Sequence, residues 1–164
     1  MKIESGFTIE KPNAFIPWGI HRNQLKMILG PELRCVSLDY YSISCESLGG
    51  MKHQLGFHFD SNARLKELEF FRDTYPDQDA SYKEFQKHFE ATFGTPTETG
   101  EGEEGFPYHI WYLNEVTIAH SVWNRFGLEE HMRIIHKPVS KFNKLVNKVV
   151  TLFSPRTTDG SIKN

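Results

Sequence analysis

The chain has 164 residues, 38% hydrophobic and 24% charged, with a formal charge of -2. That composition excludes wholesale disorder and leaves no basic field for nucleic acid. No apolar run reaches the roughly 20 residues of a membrane helix, and the start lacks the apolar stretch of a signal peptide, so a cytoplasmic protein without a membrane span is expected.

Residues 1–17 read as extended, with Pro12 and Pro17 resisting helix. Ile20, Leu25, Ile28 and Leu29 recur near a 3.6-residue period, and Gly30-Pro31 is a stop signal, so a helix is expected over about 20–29. From 33 to 71 the pattern is β-rich. Gly49-Gly50 is a hairpin turn, and Leu55, Phe57 and Phe59 alternate with Gln54, Gly56, His58 and Asp60. After Asp60-Ser61-Asn62-Ala63, Leu65 to Phe71 returns, which makes a three-stranded meander.

The connection over 72–80 is polar, with Asp73, Asp77 and Asp79. Ser81-Tyr82-Lys83-Glu84 then resembles a capping box. Tyr82, Phe85, Phe89 and Phe93 share one helix face, which ends at Gly94-Thr95-Pro96. Residues 97–105 hold only Thr, Glu and Gly and read as a flexible acidic loop. Three more strands are expected at 108–113, 116–123 and 128–136. Beyond Pro138, Phe142, Leu145, Val146, Val149, Leu152 and Phe153 mark an amphipathic terminal helix over 140–153. Lys141, Lys144 and Lys148 lie opposite that stripe. A flexible polar tail occupies 154–164.

The expected fold is therefore α+β: a single domain over 1–153 with a mostly antiparallel sheet. Two repeated helix-strand-strand-strand units, about 15–71 and 81–136, place their helices on one face. Such a sheet is wet on its other side. The 13 phenylalanines fit a filled core, with Phe57 and Phe59 meeting Phe85, Phe89 and Phe93 across the sheet-helix boundary.

The chain carries no Gly-x-Ser-x-Gly elbow, Walker A loop, dinucleotide fingerprint or HExxH motif. Cys35 and Cys45 have no zinc-type spacing and read as reduced thiols. No catalytic residue, metal site or cofactor is expected. Of the eight histidines, His58 with Asp60, or His109 with His120 across a hairpin, would be the pair of a small His/Asp enzyme, the alternative reading. Another is a structural module dimerising through the terminal helix.

The succession of a helix ending in Leu29-Gly30-Pro31, the run from Gly56-Phe57-His58-Phe59-Asp60 to Leu65, and a helix ending in Phe93-Gly94-Thr95-Pro96 resembles tandem modules of the β-lactamase-inhibitor-protein type. It is also similar to bacterial immunity proteins that neutralise polymorphic toxins. The resemblance implies a protein partner, a cognate toxin domain, bound without catalysis by covering its active site. An acidic and aromatic surface would serve a basic partner. The residues expected to contact it are Glu98, Glu101, Glu103 and Glu104 of the loop, with Trp111, Tyr112 and Trp123.

Overall fold

A computed structural model describes residues 3–72, 74, 77–102, 105–124 and 128–137. The terminal helix expected at 140–153 and the tail at 154–164 lie outside the described residues.

The extended start is a hairpin of β1 (Gly6–Ile9) and β2 (Ala14–Pro17). Helix α1 (Arg22–Leu29) starts at His21, whose ring accepts from the Asn23 amide while Gln24 accepts from the His21 amide. That reciprocal pair satisfies two donors that a helix start leaves open. At its end Gly30 adopts φ 63°, and Pro31 bars continuation.

Four strands follow where three were expected: β3 (Arg34–Ser37), β4 (Tyr40–Ser47), β5 (Met51–Phe59) and β6 (Leu65–Phe71). Helix α2 (Gln78–Phe93) begins before the expected box. Its cap is Asp77, which accepts from the Ala80 amide at 2.9 Å. Ser81 is inside the helix, and its hydroxyl turns to the Glu130 carboxylate at 2.7 Å. The expected acidic loop contains a strand, β7 (Glu98–Glu101), followed by β8 (Pro107–Leu113), β9 (Val116–Asn124) and β10 (Leu128–His136).

All strands from β3 onward form one eight-stranded sheet in the order β3-β4-β5-β6-β10-β9-β8-β7, with every recorded pairing antiparallel. Two meanders thus meet at the β6–β10 seam, where Leu68 opposes Ile134 and Phe70 opposes Met132.

Strand parity decides what goes inside. Leu55, Phe57, Leu68, Phe70, Trp111, Ile118, Met132 and Ile134 point to one face and are all buried. The first hairpin and both helices lie over that face. Phe70 takes Phe7 edge-on at 5.4 Å and Phe89 edge-on at 5.5 Å. Leu25 and Leu29 of α1 complete the same core, and Phe57, Phe59, Phe85 and Phe89 are buried in it with Phe93 packed against it. Fully burying each such ring stabilises by about 1.5–3 kcal/mol. Among the described residues, the opposite face of the sheet carries no helix.

Candidate partner-binding face

The sheet face opposite the core is built from the residues that alternate with the core residues. On β6, Leu68 and Phe70 turn inward, so Glu67 and Glu69 turn outward. Arg133 of β10 is the register partner of Glu69. Its guanidinium donates to Glu67 at 2.8 Å and to Glu69 at 2.9 Å. The second oxygen of Glu69 accepts from His58 Nε2 at 2.9 Å. Tyr40, opposite His58 on β4, stacks on its ring at 4.4 Å and donates its hydroxyl to Glu69.

Burial alone would raise the Glu69 carboxyl, but its bonds to His58, Arg133 and Tyr40 hold it down at about 2. The same half-buried setting and the Glu69 charge push the Tyr40 hydroxyl upward. Gly56 makes room for this cluster, since a Cβ there would come within 2.6 Å of the Tyr40 ring. The result is a set of side chains bonded to one another across four strands.

A second group lies toward the β7 edge. Glu98 accepts from the hydroxyls of Tyr112 at 3.1 Å and Tyr108 at 3.3 Å. Gly100 plays the part of Gly56 here, under the Tyr108 ring. Tyr112 is 36% exposed.

Trp111 was expected among the partner contacts along with Tyr112, and the structure corrects that for Trp111. Trp111 is 1% exposed, lies on the core side, packs edge-on against Phe89 and donates its indole N–H to Gly94 O at 2.7 Å. Neighbours in a strand face opposite ways, and the larger ring took the inside. Glu98 and Glu101 are exposed, on edge strand β7 rather than in a loop. Glu103 and Glu104 lie outside the described residues. Trp123 is on β9 by its backbone, and its side chain is outside the description.

The histidine pairs also differ from expectation. The carboxylate partner of His58 is Glu69. Asp60 instead caps its own turn, accepting from the Asn62 and Arg64 amides. His109 and His120 are cross-strand partners as expected. They are joined through Tyr82, which stacks on His120 at 4.2 Å and lies 2.8 Å from His109 Nδ1. His120 is fully buried and donates from Nε2 to Glu130 at 2.9 Å, with its Nδ1 2.7 Å from Gln86. Glu130 also accepts from Ser81 and Gln78. Burial lowers the basicity of His120, against the pull of Glu130. This network ties α2 to β9 and β10 inside the core.

Sequence reading missed the seam cluster of Tyr40, Glu67, Glu69 and Arg133. The alternation Glu67-Leu68-Glu69-Phe70 was the available signal, because it sets two carboxylates on the face opposite two core residues.

These features define an α+β protein whose single large antiparallel sheet is covered by helices on one face and carries an ordered polar-aromatic set on the other. Comparison with family models, curated proteins and solved structures finds no match. No helix among the described residues is long and apolar enough to cross a membrane.

Proposed function

We propose that the chain is a non-enzymatic binding protein of the immunity type, an inhibitor that neutralises a bacterial toxin by covering its active site. The docking surface is the sheet face that, among the described residues, carries no helix. The observation that supports this reading most is the bonded cluster of Tyr40, His58, Glu67, Glu69 and Arg133 at the centre of that face. Side chains already held in place lose little entropy on binding, which is what an interface centre needs. Tyr40 and Tyr112 supply aromatic area. Glu67, Glu69 and Glu98 leave the set with more carboxylate than the one guanidinium neutralises, which suits a basic partner. The two helix-plus-strands halves are read as a repeated unit, in line with the inhibitor-type resemblance.

The test is affinity capture from the source cell with wild-type chain, a Glu98→Lys/Tyr112→Ala variant and a Tyr40→Ala variant. A basic toxin domain should be retained by the wild type, released by salt, and held at least tenfold more weakly by both variants. Co-expression should then protect cells from that domain. Equal retention by all three chains sinks the proposed face. Cells that die with or without the chain sink the immunity function.

A further inference from the structure

On the core side of the first meander, Cys45 of β4 and His53 of β5 are register partners. The imidazole has a defined orientation: Nδ1 is 3.0 Å from the Gln54 carbonyl and donates its proton there. Nε2 is therefore the lone-pair nitrogen. It accepts from Ser47 Oγ at 2.6 Å and lies 3.8 Å from Cys45 Sγ. An imidazole whose far nitrogen donates to a backbone carbonyl is the arrangement by which proteins orient metal-ligating histidines.

The surroundings add two observations. A groove of about 490 Å³ opens onto both residues, and Lys11, Lys52 and Arg72 are among its lining. The inner wall is apolar, with Phe70 at 5.0 Å and Phe85 at 6.3 Å from the His53 ring. A metal about 2.3 Å from sulfur and about 2.0 Å from nitrogen spans the gap at an angle near 120°.

We propose that Cys45 and His53 form a binding site for a soft monovalent metal ion, copper(I), reached through this groove, with a third coordination position facing the groove. Thiolate and imidazole are the donors that such an ion prefers. Zinc needs about four ligands, and no group of three or more His, Cys, Asp or Glu suited to a metal occurs among the described residues. The cationic rim, which Glu46 offsets in part through Lys11 at 2.7 Å and Lys52 at 3.9 Å, further disfavours divalent ions.

Binding breaks the S–H bond and forms a copper–sulfur bond. The proton goes to solvent, copper stays in the +1 state, and Ser47 gives up its bond to Nε2.

The experiment uses full-length Cys35→Ser chain, which removes the exposed thiol. Copper(I) is held anaerobically by a coloured competing chelator. One equivalent should pass to the Cys35→Ser chain, and none to Cys35→Ser/Cys45→Ala of unchanged circular dichroism. The His53 Nε2 nitrogen resonance of folded Cys35→Ser chain, which needs no core substitution, should shift on adding copper(I). A chelator that stays fully loaded, equal uptake by the double variant, or an unmoved His53 resonance overturns the site.

Discussion

Lowering the pH from about 6.5 toward 4 should destabilise the fold through His53. The imidazole is 6% exposed, packed against Phe70 and Phe85, and burial, only partly opposed by the Gln54 carbonyl, depresses it from 6.5 to about 4. In the unfolded chain the same group titrates near its ordinary value. Between those two values the unfolded state binds a proton that the folded state refuses. Stability is complete above pH 6.5 and falls as pH drops, by up to about 1.4 kcal/mol per pH unit. By pH 4 the loss from this one group is about 3 kcal/mol, a large share of a typical stability of about 5–15 kcal/mol. Glu69 loses its contribution in a separate, lower window, as pH falls from its ordinary range toward about 2. His109 and His120 are also lowered by burial and steepen the same acid limb. The His53 share is isolated by comparison with His53→Gln, using urea unfolding at half-unit pH steps from 7.5 to 4. The variant should be less stable at pH 7 but have a shallower slope. Nuclear magnetic resonance gives the direct reading, a His53 ring titrating near pH 4. A midpoint at or above pH 6, or equal slopes in the two chains, would refute the reasoning.

Further outcomes follow from the same geometry. Glu130→Ala strands the Ser81 and Gln78 donors and the fully buried His120 together, and should cost about 3–5 kcal/mol in urea unfolding. Glu130→Gln, which keeps one carbonyl acceptor but turns an N–H toward a donor, should lose less. Phe89→Ala removes a fully buried ring that touches Phe70, Phe85, Trp111 and His120, and should cost about 3–5 kcal/mol by the same measurement. Gly56→Ala drives a methyl group into the Tyr40 ring. It should cost about 1–3 kcal/mol and weaken partner capture while leaving the circular dichroism of the folded chain unchanged. Undiminished capture would mean that Tyr40 is not an anchor.

Much of the architecture was legible in the linear pattern, for reasons of periodicity. The alternation of Leu55, Phe57 and Phe59 and the three-and-four spacing of Phe85, Phe89 and Phe93 each allow only one buried face, so their meeting in the core followed. Strand β7 had no such signal, because Glu98-Thr99-Gly100-Glu101 contains nothing to bury. It is a strand because its backbone completes the edge of β8. Helix α2 had two acceptable starts, and Ser81 lost that role to Asp77 because its hydroxyl was needed by the buried Glu130 carboxylate.

The sequence by itself determined parity: which residues of each strand share a face, and that Trp111 and Tyr112 cannot both point outward. Tertiary structure alone decided which of the two went inside, because that depends on where α2 lies and on the Gly94 carbonyl waiting for the indole N–H. It alone also brought together Tyr40, His58, Glu69 and Arg133, which come from β4, β5, β6 and β10. Their meeting depends on the antiparallel pairing of β6 with β10, a long-range contact between strands more than fifty residues apart in sequence. Local propensity says nothing about such a pairing, since it arises only when the two halves bury their apolar faces under the same helices.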